Sequence, residues 1–324
     1  MTRVSREGAG LPDAITDTVT GQRISLLDWK AANLRASWLL GFVMVGLLAG
    51  LGWLIGFAID PGLAGVVTGI AVVFALGQTA AAYWASDTMV LSVAGARRAT
   101  QDEHRYLVNV SEAVAIGAGV PTPRVYVIDN PAPNAFATGR DPQHGTIAVT
   151  TGLMQILDRQ ELEAVVAHEM AHIRNYDIRF MSMLAATVGA VVLLRDVALR
   201  AMRFGGIGRR RGGGTSGGGR GQILALVLLV VLLVLAPLLA MALRMAVSRR
   251  REYLADATGA YITRNPEGLA RALEKLRDFR GAPMQVSEGV AHMFFTNPAL
   301  KRNANTWFAT HPPIQDRINR LRRM

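Results

Sequence analysis

The sequence predicts a mainly α membrane protein, in which transmembrane helices are joined to an α+β domain with a small β-sheet. Three observations carry this reading. Long runs free of charge alternate with polar stretches, two short β-rich runs lie between helix signals, and capping pairs mark the starts of polar helices. With 324 residues, the chain is long enough for one large or two modest domains.

Residues 1–36 form a polar N-terminal segment; the first apolar run begins only near Trp38, so this is not the pattern of a cleavable signal. Ser37 to Ile59 contains no charge and has the length of a bilayer crossing, with Trp38 and Trp53 suited to its interfaces. Asp60-Pro61-Gly62 reads as a turn, and a second uncharged run extends from Leu63 to Ser86. Residues 37–86 are therefore expected to form a transmembrane hairpin. Arg23, Lys30, Arg35, Arg97 and Arg98 flank its outer ends while the turn has no basic residue, which puts the outer ends in the cytoplasm.

Thr100 and Glu103 suggest a capped helix running to about Gly117. Arg124–Ile128 and Gly145–Thr150 read as strands, with Asp129–Pro133 breaking the first. Asp158 and Glu161 cap the next helix. A third apolar stretch, Phe180 to Leu194, falls short of the roughly 20 residues a span needs. A Gly/Arg/Ser-rich linker at 205–221 follows, and then a clear fourth run, Gln222 to Leu243. The linker's arginines argue against an outside location, so the reading is two spans plus a hairpin of open depth. Asn265-Pro266-Glu267 opens an amphipathic helix with Leu269, Leu273, Leu276 and Phe279 on one face, residues 281–310 look irregular, and Pro313 opens a last basic helix.

The absence of cysteine excludes a thiol nucleophile, a disulfide framework and sulfur-ligated zinc. The net charge of +11 gathers beside apolar runs and at the C-terminus, without interleaved aromatics; this fits anionic lipid and argues against nucleic acid. The chemistry lies in His168-Glu169-Met170-Ala171-His172. On a helix, His168 and His172 share a face and can reach one ion, and Glu169 beside them can take a proton from water. Such a zinc site wants a third protein ligand. Glu252 and Asp256, four residues apart after the fourth run, could supply it and a carboxylate behind a histidine; equally, they could be a solvated acidic pair offsetting Arg249–Arg251. Asp177 is open between a carboxylate behind a ligand and a counterion for Arg174 or Arg179. His104, His144 and His292 have no partner pattern and read as structural or exposed.

The pentad, the Glu252–Asp256 pair, Asn134–Gly139 and Thr310-His311-Pro312-Pro313 occur in the order that resembles the HtpX-type membrane zinc metalloproteases, relatives of the CAAX prenyl proteases. The resemblance runs from about Ser37 to the C-terminus, interrupted by the Gly/Arg linker. It implies a zincin-like (gluzincin) catalytic domain split into residues 87–179 and 248–324 around the apolar segments of 180–247. One Zn2+ per subunit would be held by His168, His172 and Glu252, with Glu169 as base and Asp256 behind a histidine. Asn134, Ala135 and Phe136 would lie on an edge strand that binds extended substrate. His311 would donate to the oxyanion, with Arg317 a further candidate for that duty. The implied function is cleavage of misfolded or damaged membrane proteins at the cytoplasmic face of a bacterial inner membrane, with the lipid bilayer as the other partner. Alternatives are a CAAX-type peptidase and a non-catalytic membrane scaffold. An intramembrane protease is disfavoured by the charged residues around the pentad, Asp158 to Asp177.

Overall fold

The computed structural model describes residues 14–16, 23–188, 249–284, 290–296 and 312–324. The Gly/Arg linker, the fourth apolar run, the end of the third run and His311 lie outside the described residues, as do most of the first 22 residues.

Strands β1 (Ala14–Thr16) and β2 (Arg23–Ser25) form an antiparallel pair ahead of helix α1 (Leu26–Ile59). That helix starts well before the uncharged run. Ser25 caps it by accepting the Asp28 N–H at 3.2 Å, and the polar residues 26–36 continue the same helix as the apolar ones. An apolar-run criterion measures bilayer length and is blind to such an extension. Pro61–Leu63 forms a tight turn, in which Asp60 accepts the Gly62 N–H at 2.7 Å. Helix α2 (Ala64–Trp84) then packs back along α1, with Gly52 facing Ala71 and Gly56 facing Ala64 so closely that a Cβ at either glycine would stand 2.6 Å from its neighbour. Leu26–Phe57 and Pro61–Trp84 are long and apolar enough to cross a membrane, and their outer faces expose Phe42, Trp53, Ile70, Val73 and Phe74.

Helix α3 (Ser86–Val93) leads to a four-stranded mixed sheet of β3 (Ala96–Arg98), β4 (Arg124–Ile128), β5 (Ala135–Thr138) and β6 (Thr146–Thr150), in the order β3-β4-β6-β5. β4 and β6 run parallel, and β3 and β5 are antiparallel to their neighbours. Alternation sends Val125, Val127, Ala135, Ala137, Ile147 and Val149 to one face and Tyr126, Ile128, Phe136 and Ala148 to the other. The first face meets helices α4 (Gln101–Ala118) and α6 (Arg159–Arg174) and the later helices; the second meets α1, α3 and Phe180 and Leu184. With cores on both sides, β5 and β6 are buried along their whole length.

The expected caps are present. Thr100 accepts the Glu103 N–H, but the Glu103 side chain turns to Arg97 at 2.7 Å, so the reciprocal half of that box is not formed. After the short helix α5 (Thr151–Ile156), Asp158 and Glu161 close a complete capping box on α6. Tyr176 adopts a left-handed φ of 61° and turns the chain into α7 (residues 177–188). Helices α8 (Arg249–Thr263), α9 (Pro266–Asp278) and α10 (Ile314–Leu321) complete the first core. Leu269, Leu273 and Leu276 are buried as their spacing requires, whereas α9 ends before the half-buried Phe279.

Gly259 lets α8 lie against α6, because a Cβ there would stand 3.0 Å from the His168 nitrogen and 3.2 Å from the Ala167 carbonyl carbon. Those neighbours are helix backbone and cannot turn aside. We expect Gly259→Val to destabilise the protein by about 1–3 kcal/mol, the usual cost of overpacking, read from thermal unfolding of the purified chain. Wild-type stability in that variant would show that the α6–α8 contact is loose.

Candidate metal centre

Helix α6 brings His168, Glu169 and His172 to the sheet face, and α8 brings Glu252 against them. The three groups His168, His172 and Glu252 are buried and offer ligand atoms all within 4.8 Å of one another. The two Nε2 atoms lie 3.2 Å apart, and the Glu252 oxygens stand 3.7 Å from His168 and 3.8 Å from His172. Both Nδ1 atoms point the other way. That of His168 lies 2.9 Å from Asp256 and that of His172 lies 2.9 Å from Asp177. A carboxylate behind Nδ1 holds a proton there, so that in each neutral imidazole the lone pair lies on Nε2, aimed at the other ring and at Glu252. Two imidazole lone pairs and a carboxylate oxygen converging on one point are completed by a cation. The set is that of a hard-to-borderline metal with nitrogen and oxygen ligands, and zinc fits it.

The rear carboxylates have arginine partners. Arg317, fully buried, donates to Asp256 through Nε at 2.8 Å and Nη2 at 2.7 Å, and its Nη1 lies 3.6 Å from Glu252. Arg251 donates to Asp177 through Nε at 2.9 Å. Asp177 thus resolves onto His172 and Arg251; Arg179 is turned to the Arg140 carbonyl at 2.6 Å. Arg317, expected from the sequence at a substrate oxyanion, directs its Nε and Nη2 to Asp256 behind His168 and stacks on the Phe295 ring, 4.7 Å from the ring centroid.

Burial acts on every one of these groups, and the neighbouring charges decide whether it wins. It drives His168 down to about 4, with Arg317 adding to the drop and Asp256 opposing it. Burial also pulls His172 down, but the hydrogen bond and charge of Asp177, helped by Glu252 and Glu169, outweigh it and hold His172 up at about 9. Burial pushes Glu169 up to about 7 against the pull of His172, a value suited to exchanging protons near neutrality. Asp177 and Asp256 resist burial and stay below the usual carboxylate range because Arg251 and Arg317 stand beside them.

Strand β5 runs alongside. Asn134 accepts the Thr150 N–H through its carbonyl, so the backbone groups of Asn134, Phe136 and Thr138 face β6 and those of Ala135 and Ala137 face outward. The β5 backbone at Ala137 favours the charged form of the Glu169 carboxyl. The outer edge expected for substrate is already partly covered: the Phe295 N–H donates to the Ala135 carbonyl at 2.7 Å, and the Asn134 amide exchanges hydrogen bonds with the Thr296 backbone at 2.8 and 3.1 Å. The Phe136 ring packs on Phe294 in the second core and its backbone faces β6, so along this edge the outward backbone groups are those of Ala135 and Ala137. His104, His144 and His292 have other neighbours: Glu103, Asp141 and the Met181 carbonyl.

Sequence reading missed Trp29, Asn33 and Arg251 around Asp177, and Phe295, whose ring meets His168 edge-on with centroids 4.8 Å apart. A signal for the first two existed: Trp29, Asn33 and Ser37 recur every four residues, a polar stripe on one helix face that leads into an apolar run.

The sequence model of peptidase family M48 matches residues 101–324. A protein named Protease HtpX homolog from Thermoanaerobacter pseudethanolicus is 43% identical over 302 residues, covering 93% of this chain and 98% of its own length. The same name is carried by a Dictyoglomus thermophilum protein, 43% identical over 293 residues (90% and 93% coverage), and by one from Streptococcus gordonii, 39% identical over 300 residues (92% and 100%). Among solved structures, the crystal structure of S. mikatae Ste24p aligns over 91% of this chain and 67% of its own, with 19% identity and a TM-score of 0.49.

Removing Arg317 would leave Asp256 as a buried, uncompensated charge. We expect Arg317→Met to destabilise the protein by about 3–5 kcal/mol, with Asp256→Asn in the same chain recovering part of the loss; denaturant unfolding of both variants checks this.

Proposed function

Because the chain belongs to peptidase family M48, we propose that it is a membrane-anchored zinc endopeptidase that cleaves misfolded or damaged membrane proteins at the cytoplasmic face of a bacterial inner membrane. The observation that carries the reading is the convergence of His168, His172 and Glu252, with the buried Glu169 one residue from the first of them. Residues 37–86 serve as the anchoring hairpin, and residues 87–179 and 248–324 together build the catalytic domain. The basic residues flanking the apolar helices support the cytoplasmic placement.

His168, His172 and Glu252 would hold one Zn2+, with Asp256 and Asp177 fixing the histidine tautomers. A zinc ion held there would supply Lewis acidity to a water and to the scissile carbonyl. Glu169, raised toward neutrality by burial, removes a proton from the attacking water and passes it to the leaving nitrogen. An extended substrate adds to the outer edge of β5, where backbone pairing grips without demanding a particular sequence. Its pairing to Ala135 displaces the Phe295 N–H. The oxyanion is stabilised from His311, which stands beside prolines in the sequence, while Arg317 keeps its role with Asp256.

Glu169→Gln is expected to retain zinc and lose cleavage of casein or of the enzyme itself; a purified variant that still cleaves removes Glu169 as the base. Zinc affinity has a predictable sign with pH as well. Because the His172 proton is held up to about 9, it is present at neutral pH and the metal must displace it, so apparent affinity should climb by about tenfold per pH unit between pH 6 and 8. Chelator-buffered titrations at three pH values measure this, and a flat profile would remove His172 from the ligand set.

A further inference from the structure

The two oxygens of Asp177 do different work. Oδ2 faces His172 Nδ1 at 2.9 Å, while Oδ1 accepts from Trp29 Nε1 at 3.1 Å, Asn33 Nδ2 at 2.6 Å and Arg251 Nε at 2.9 Å. Two of these donors belong to α1, the helix that continues into the first apolar run. Asn33 is the more connected. Its amide N–H group also reaches the Asn175 carbonyl at 3.0 Å, three residues past His172, and its amide oxygen accepts from Arg251 Nη2 at 3.1 Å, one residue before Glu252. Asn33, Asp177 and Arg251 are all buried. Burying such a cluster is costly unless its members are satisfied, and here the α1 donors meet the carboxylate behind His172 and the backbone that follows that histidine.

Helix docking alone does not need this arrangement. Leu26 and Trp29 already give α1 an apolar contact with Leu254 of α8. Nor does balancing the charge of Asp177 require α1, since Arg251 does that. What the α1 donors add is a fixed rotation of the carboxylate about its own axis, and hence a fixed direction for the His172 Nδ1–H and for the lone pair opposite it.

We propose that Asn33 and Trp29 are positioning residues that hold Asp177 against His172, so that the affinity of the site for metal depends on the docking of the first apolar helix. The proposal rests on the reading of His168, His172 and Glu252 as metal ligands. Asn33→Leu keeps roughly the volume and removes the hydrogen bonds; Trp29→Phe keeps an aromatic ring and removes the N–H. In the full-length, detergent-purified protein, we expect Asn33→Leu to weaken zinc binding by roughly tenfold or more in a chelator competition and to shift the visible absorption bands of the cobalt-substituted protein. Trp29→Phe should move both in the same direction by less, and decides the matter if Asn33→Leu does not fold. In an Asp177→Ala background, adding Asn33→Leu should cause no further loss of affinity, since its effect runs through that carboxylate. Wild-type affinity and cobalt spectra in both variants, or a loss that adds in full to that of Asp177→Ala, would overturn the proposal. Unchanged metal stoichiometry in His172→Ala would instead overturn the ligand reading on which it rests.

Discussion

Two imidazoles and a carboxylate buried within 4.8 Å of one another must each be partnered, and the rest of the structure is arranged to partner them. Each histidine is backed by an aspartate and each aspartate by an arginine: His168 by Asp256 and Arg317, His172 by Asp177 and Arg251. The two relays are built alike and titrate in opposite directions. Both imidazoles are depressed by burial, but Arg317 stands 3.5 Å from His168 itself, whereas Glu252 and Glu169 add their charges to Asp177 at His172. One site therefore holds a histidine that resists protonation and another that favours it.

The demand for partners explains which elements are brought together. Arg317 enters from the last helix and Arg251 from the helix that carries Glu252. Asn33 and Trp29 enter from the first helix. A sheet with a core on each face makes this possible, since α6 and α8 to α10 pack on one side of it while α1 and α7 pack on the other. The left-handed Tyr176, costing about 1–2 kcal/mol, gives the sharp turn that brings Asp177 back onto His172, and Lys30 of α1 covers its ring at 4.4 Å from the centroid.

Local patterns in the sequence were enough for the pentad, for the caps at Thr100, Asp158 and Asn265, and for both strands of the parallel pair, because each depends on residues within one turn or one strand. Three features were not legible. The true start of α1 depends on a serine cap in a polar stretch, where apolarity gives no signal. The role of Arg317 depends on a buried pair with Asp256 across 61 positions, and spacing along a helix carries no trace of it. The partial cover of β5 by Phe295 and Thr296 joins segments still further apart, about 160 positions, through main-chain and amide bonds that no side-chain pattern encodes.

The chain order of the two relays has a consequence for biosynthesis. A ribosome-bound chain that has emerged only as far as the third apolar stretch already carries both histidines, Glu169, Asp177 and the α1 residues that hold Asp177. It has neither Glu252 nor the Asp256–Arg317 pair, which come from α8 and from the last helix of the chain. On the proposed ligand set, hydrolytic competence therefore waits until α8 and the helix that carries Arg317 have joined the chain.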